Sequence, residues 1–375
     1  MTPFGLYVHV PFCASRCGYC DFNTYTAQEL GAGVDRSTFH ALLCAELDQA
    51  ARSVGPREVA TVFVGGGTPT LLGAEALGQV LEAVRTTFPL ASDAEITTEA
   101  NPDSVDPAML ADLRAAGYTR ISLGMQSAAP HVLATLDRTH TPGAARQAAR
   151  WARDAGFAHV NIDLIYGTPG ETDDDVRASL DEVLAAGVDH VSAYALIVED
   201  GTALARRVAR GEIPAPDDDA CADRYAIIDD SLCAAGMDWY EISNWARPGG
   251  ECRHNLGYWT NAEWWGVGPG AHSHLRGERW WNVKHPSRYA EAVRAGRSPR
   301  EDGEVLSDEQ RALESVMLAV RTRDGVDAGT LSTDPSSMVA EGLIDGDAWV
   351  EGRVVLTRRG RLLANEVVRR LTGGD

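Results

Sequence analysis

No stretch of this chain reaches the roughly 20 consecutive apolar residues that a membrane-spanning helix needs, and no Lys or Arg precedes the short apolar run within Met1 to Val10. Neither a membrane span nor a secretory leader is expected, which places the chain in the cytoplasm with peripheral contact at the inner membrane left open. A basic surplus is missing as well: 34 Lys plus Arg face 54 Asp plus Glu, for a formal net charge of −20. Phosphate backbones need a basic face, so nucleic acid is not expected as the main partner. The third absence is a disulfide framework. Seven cysteines is an odd number, and three of them crowd between positions 13 and 20, a layout that suits metal in a reducing compartment better than paired sulfurs in a secreted protein.

What is present suffices for a large packed body. The 375 residues are 44% hydrophobic and 23% charged, the proportions of a globular protein with a substantial core. Over the first two thirds, short β-branched runs alternate with helical stretches rich in Ala and Leu. Strands are predicted at 6–10, 61–64, 95–98, 120–124, 159–165 and 191–196, and helices at 37–53, 73–88, 107–116, 141–155 and 173–186. Thr141-Pro142 opens one helix, while Gly117, Gly156 and Gly187 sit just past the ends of three. Such a repeat implies a parallel α/β sheet with right-handed crossovers, open or closed into a barrel. A helix at 217–235 and the segment 239–245 extend it.

The composition then changes. Residues 239–281 hold seven of the nine tryptophans and little periodicity, which reads as a site-building region rather than more barrel. From Leu306 onward, a helix at 310–320, a second short helix, a strand pair at 349–356 turning on Glu351-Gly352-Arg353, and a final helix at 357–371 suggest a small winged-helix-like domain. Its acidic setting favours a structural or partner-docking role over DNA. The expected units are 1–236, 237–300 and 301–375.

The cysteines read Cys13-Ala14-Ser15-Arg16-Cys17-Gly18-Tyr19-Cys20, directly after the first strand. Three thiolates can wrap a cubane cluster but leave one of its four irons free for a small molecule, and the amino and carboxylate groups of an amino acid suit it. A zinc site with His9 or Asp21 as fourth ligand is the competing reading. The second strand runs into Gly65-Gly66-Gly67-Thr68-Pro69-Thr70, and Glu99, Gln126 and Asp163 fall near the C-terminal ends of strands three, four and five. That rim is where parallel α/β architectures gather ligands. Cys44 and Cys233, each on an apolar helical face, are expected to be buried packing residues.

CxxxCxxC with an aromatic residue before the last Cys resembles the radical S-adenosylmethionine (SAM) superfamily. The resemblance implies a partial (β/α)6 barrel, a [4Fe-4S] cluster on Cys13, Cys17 and Cys20, and SAM on the fourth iron, cleaved by the cluster's electron to a deoxyadenosyl radical. Residues 6–13 (LYVHVPFC), 65–70 (GGGTPT) and 161–170 (NIDLIYGTPG) resemble, more narrowly, the group of oxygen-independent coproporphyrinogen III oxidases (HemN type) and heme chaperones (HemW type). By that resemblance the SAM contacts map onto Tyr7, Gly66, Gly67, Thr68, Glu99, Gln126, Arg138 and Asp163. Tyr7 would face the sulfonium, Arg138 the carboxylate, and Tyr19 the adenine.

Within the group, two departures favour the chaperones. The oxidases continue their motif as CxxxCxxCxC, where this chain has Phe22, and they carry an extension ahead of the tyrosine, which only six residues precede here. A positive match is His254-Asn255-Leu256-Gly257-Tyr258-Trp259, the HNxxYW element associated with heme binding in the HemW type. It implies His254 as axial ligand, Asn255 as a hydrogen-bond partner of a propionate or of the imidazole, and Tyr258 and Trp259 as cover for the macrocycle. Without the match, a histidine amid tryptophans is as readily a packing residue. Cys252 is a rival ligand. The run Gly266 to Ser273 lets backbone approach something bulky but lacks a phosphate-loop ending, and His272 and His274 are expected to be structural. The implied task is to bind heme and deliver it to acceptor apoproteins such as respiratory cytochromes, with cluster and SAM gating transfer or oligomerisation. A porphyrinogen oxidase and a noncatalytic zinc scaffold are the alternatives.

Overall fold

The six β-branched runs form six parallel strands in the computed structural model, which describes residues 3–373. These are β1 (Phe4–Val10), β2 (Val59–Gly66), β3 (Leu90–Ala100), β4 (Arg120–Gln126), β5 (His159–Tyr166) and β6 (His190–Ala195). Each pairs in parallel with the next in sequence order. Because that order never reverses, the sheet curls one way as a partial (β/α)6 barrel instead of forming a doubly wound sheet. Covering helices and lumen-facing side chains bury both faces: in β1 every residue but Tyr7 is buried, which is why these strands read as near-continuous apolar runs.

The covering helices follow their local signals. The helix Asp173–Ala186 starts on a capping box between Thr172 and Asp175 and stops at left-handed Gly187. The helix predicted from Thr141 starts later, at Ala144, after Gly143 at φ 77°, and a short helix at Pro130–Thr135 is too brief to leave a periodic trace.

The tryptophan-rich stretch corrects the expectation of an irregular region. A hairpin of β7 (Asp238–Glu241) and β8 (Asn244–Ala246) pairs antiparallel with β6. After a helix at Arg253–Trp259 come β9 (Glu263–Val267), β10 (His272–Leu275), β11 (Glu278–Asn282) and β12 (Arg300–Val305). β9 lies parallel to β1 on the side away from β2, and β10 to β12 continue the same 12-stranded sheet antiparallel. The doubled tryptophans conceal the period of two because both faces take an indole. Trp265 packs edge-on against Trp280 at 4.9 Å, while Trp264 packs against Tyr258 at 4.7 Å.

The C-terminal unit has its own core, including Val320, Met338, Ile344, Val354, Val367 and Leu371. The strand pair expected at 349–356 does not form. Trp349 lies in a helix, Gly346–Val350, whose first turn is capped by Asp345, and β14 (Arg353–Val354) pairs with the distant β13 (Val326–Asp327). The final helix divides at Leu363 into Arg358–Leu362 and Ala364–Leu371. Arg361 bonds Asp229 at 2.8 Å and lies over the Trp239 ring, joining this unit to the barrel.

Candidate functional site

The cysteine loop leaves β1 without helical structure and is held by backbone bonds to distant segments. Cys13 donates to the Tyr25 carbonyl at 3.0 Å, Gly18 donates to Leu136 at 3.0 Å, and Leu204 donates back to Gly18 at 2.8 Å. Cys13, Cys17 and Cys20 then line one cavity of about 370 Å³ together with Tyr19, Gly66, Gly67, Thr68, Glu99, Gln126, Arg138 and Asp163. Of the residues expected around cluster and SAM, Tyr7 alone stands outside. Its side chain points into the barrel lumen, with its ring stacked near Phe63 and its hydroxyl 2.9 Å from His9 Nδ1.

The glycine segment has a second reason to be glycine. Gly67 donates to Val10 O at 2.8 Å and Thr68 to Phe12 O at 2.7 Å, so the segment lies directly on the root of the cysteine loop. A Cβ on Gly67 would collide with the Phe12 carbonyl and come within 3.1 Å of Cys13 Sγ. Gly66, at φ 115°, takes a backbone conformation that side chains avoid, and its amide donates to Glu99 at 2.9 Å.

Charge is concentrated and desolvated here. Burial, then the Asp163 charge, pushes the Glu99 carboxyl up to about 7. Burial also raises Asp163, against the pull of its hydrogen-bond donors; Ser122 donates to it at 2.9 Å and Asn161 at 2.7 Å. Burial raises the Cys13 thiol to about 11. Arg138 donates to Gly124 O at 2.7 Å and reaches Cys17 Sγ at 3.6 Å, while its buried Nε has no partner. Gln126 takes φ 69° at a register shift ending β4, the kind of strained rim position that recurs at binding sites. Three thiols, a guanidinium with an unused N–H and two buried carboxyls fit an anionic iron–sulfur cluster beside an amino acid's ammonium and carboxylate.

The zinc alternative finds no such support. His9 is buried with both ring nitrogens bonded, to Tyr7 and to Asn23 O at 2.9 Å, and neither it nor Asp21 lines the cysteine cavity. Among the described residues, no three His, Cys, Asp or Glu side chains are placed to hold a single ion. Sequence reasoning missed Asn101, Asp103 and Ser104, which follow β3 and line the cavity. The Asn101 side chain accepting from Asp103 N marks that turn, and an Asn-Pro-Asp-Ser run after a strand was the available signal.

The HNxxYW element forms the helix Arg253–Trp259 against the opposite wall of the lumen. His254 is 4% exposed. Its Nδ1 lies 2.8 Å from Thr61 Oγ1 and its Nε2 2.9 Å from the Tyr258 hydroxyl, and burial lowers its pKa to about 3. The expectation of an axial ligand therefore meets an imidazole with no free nitrogen. Asn255 donates to Glu241 at 2.9 Å, and Trp259 ends the helix. Cys252 is buried, donates its thiol to Glu95 at 3.5 Å, and is pushed up to about 12 by burial. The lumen cavity that His254, Tyr258 and Cys252 line measures about 130 Å³, below the ~300 Å³ at which ligand pockets begin.

A third cavity of about 700 Å³ opens beside the cysteines, sharing Phe22, Thr24, Gly66 and Glu99 with theirs. Tyr258 and His272 line it. His272 is exposed, with Nδ1 facing Gly270 O at 3.1 Å, whereas His274 is buried and bonded to Ala262 O at 3.3 Å. Cys44 is half-buried and Cys233 exposed, one step around the helix from buried Leu232, so neither is plain core.

Known proteins align with this arrangement. The family model described as Radical SAM superfamily matches residues 7–183. The heme chaperone HemW of Mycobacterium tuberculosis is 57% identical, covering 99% of this chain and 95% of its own length. HemW of Escherichia coli is 33% identical, with 98% of each chain covered. Among solved structures, the coproporphyrinogen III oxidase HemN of Escherichia coli superimposes with a TM-score of 0.83 at 24% identity, over 99% of this chain and 90% of that one. That likeness establishes the fold alone.

Proposed function

Because the chain belongs to the radical SAM superfamily and, within it, to the HemW heme chaperone family, we propose that it binds heme and hands it to acceptor apoproteins. Full-length likeness to a named heme chaperone carries this reading. Two local features support it: Phe22 stands where a further thiol would follow the motif, and the large third cavity adjoins the cysteines.

The superfamily's [4Fe-4S] cluster would sit on Cys13, Cys17 and Cys20, and SAM in the same cavity. When bound, the pair supplies one-electron reductive chemistry. The chain's own part is to orient and seal. Arg138 is placed to pair a carboxylate through its unused N–H. Glu99, near neutral in pKa, accepts from the Gly66 amide and can hold or release a proton on its own carboxyl. Tyr19 offers a ring to an adenine. The acceptors proposed are respiratory cytochromes, met in the cytoplasm at the inner membrane face; no helix among the described residues is long and apolar enough to cross a membrane.

Anaerobic reconstitution with iron and sulfide, followed by heme titration and a coproporphyrinogen decarboxylation assay on the same sample, tests the proposal. Heme binding without decarboxylation is expected. Decarboxylation with little heme affinity would install the porphyrinogen oxidase instead.

A further inference from the structure

Away from the barrel mouth, we infer that the cleft of about 400 Å³ between the helix Phe39–Val54 and strands β9 to β12 binds a small zwitterion of the free amino acid class. Glu46 takes its ammonium and Arg276 its carboxylate. The volume lies within the ~300–1,000 Å³ of ligand pockets, and no lining residue is shared with the cysteine, lumen or 700 Å³ cavities.

The floor is an acid that the fold leaves without a counter-ion. Glu46 is 3% exposed. Its Oε2 accepts from Gly268 N at 2.7 Å and from the Tyr289 hydroxyl at 2.6 Å, while its Oε1 accepts only from Asn282 at 2.6 Å, so one oxygen keeps a position open. Buried carboxylates are ordinarily paired, yet Glu46 makes no ion pair among the described residues. Burial pushes its carboxyl up to about 7 against the pull of all three donors, and an ammonium beside it supplies the missing charge. Over this floor Trp265 and Trp280 meet edge to face at 4.9 Å and 76°, a corner that suits an apolar stem and the cation at its end. The buried Trp265 Nε1 has no partner, a donor matched by an oxygen of the guest.

The mouth is basic. Arg276 and Gly277 are the two loop residues of the β10–β11 hairpin, at φ 55° and 77°. Such a loop favours Asn before Gly, so an arginine there carries backbone strain that turn chemistry does not explain. Its side chain is exposed and makes no ion pair among the described residues. Arg300 is committed, bonded to Glu278 at 2.7 Å and folded over the Trp280 ring at 5.5 Å. Gly303 leaves the space for that fold, because a Cβ there would stand 2.6 Å from the Arg300 guanidinium. Two acids and two arginines therefore line the cleft, with the unpaired acid deep and the unpaired cation outside. That separation admits a zwitterion ammonium first. A lone amine leaves Arg276 unmet, and a lone carboxylate meets Glu46 at the floor.

The test is titration of the full-length, cluster-loaded protein with L-leucine, whose branched stem suits the indole corner, read by indole fluorescence and calorimetry. The same stem carrying one charge serves as control, 3-methylbutylamine for the cation and 4-methylpentanoate for the anion. Leucine should bind saturably, about tenfold or more tighter than either control, and without displacing SAM. Glu46→Gln should weaken it about tenfold or more, and Arg276→Ala several-fold. Ser53→Trp, which adds bulk at an exposed position of the mouth, should abolish binding with iron–sulfur absorbance and melting unchanged. Equal affinity for the amine or the acid, leucine affinity unmoved in Ser53→Trp, or no saturable response to leucine overturns the assignment.

Discussion

The two adjoining cavities at the barrel mouth follow opposite rules. Around the cysteines the charged side chains are anchored to the chain itself: Glu99 to Gly66, Asp163 to Ser122 and Asn161, Arg138 to Gly124. In the larger cavity the His272 imidazole meets the Gly270 carbonyl at 3.1 Å through Nδ1 alone, and the exposed Lys284 ammonium makes no ion pair among the described residues. Anchoring suits a resident cofactor, whose contacts gain from being preorganised. Unengaged groups suit a cargo that must leave again, because its release does not have to rebuild a broken network.

The sharpest break in that comparison is Cys17→Ser. It should abolish stoichiometric cluster, measured as iron and sulfide content, while the heme bands persist; their joint loss would mean the two cavities are one site. Next comes Arg138→Met, which removes a charge-assisted contact of ~1.5–3 kcal/mol. SAM affinity by calorimetry on the cluster-loaded protein should fall by about 10- to 100-fold, with heme affinity unmoved. Gly67→Ala probes the wall beneath the cysteines. Its methyl group has no room beside Phe12 O and Cys13 Sγ, so urea unfolding should register a loss of ~1–3 kcal/mol, whereas Gly346→Ala, with nothing within 4 Å, should stay within ~0.5 kcal/mol.

The smallest effect at neutral pH concerns His254, the closed counterpart of His272. Its folded pKa of about 3 lies below the ~6.5 of an unfolded chain, so the unfolded state takes up the proton first. Stability present above pH 6.5 is lost as pH falls through that window. His254→Phe should shed this component, making the acid limb shallower by about 1.4 kcal/mol per pH unit between pH 4 and 6. Equal slopes in the two proteins would show that solvent protons reach the imidazole in the native fold.

The parallel core was legible because its strands are buried on both faces and its helices carry local stop signals; the helices at 107–116 and 173–186 have the predicted bounds. That the cysteine loop and the rim carboxyls share one cavity was legible for a related reason: each sits at the end of a strand, and parallel topology brings strand ends together. Tyr7 lies outside the cysteine cavity because the alternation along β1 turns it into the lumen. His254 could not be judged without Thr61, its partner 193 positions away. His272 was hidden by the adjacent tryptophans that mask β9 to β11, and its openness depends on which nitrogen meets Gly270, a fact of backbone geometry that composition does not record.

The position of β1 between β2 and β9 has a temporal side. Phe4 lies opposite Glu263, so a nascent chain leaves the ribosome with its cysteine loop rooted in a strand whose second neighbour is still untranslated. Closing so distant a pairing is slow and comes late. Until then Cys13, Cys17 and Cys20 hang from an open sheet edge, where oxidants and stray metal ions compete for them. On the cluster reading proposed above, loading would follow closure of the finished chain, and the interval between synthesis and closure is when the thiols are least covered.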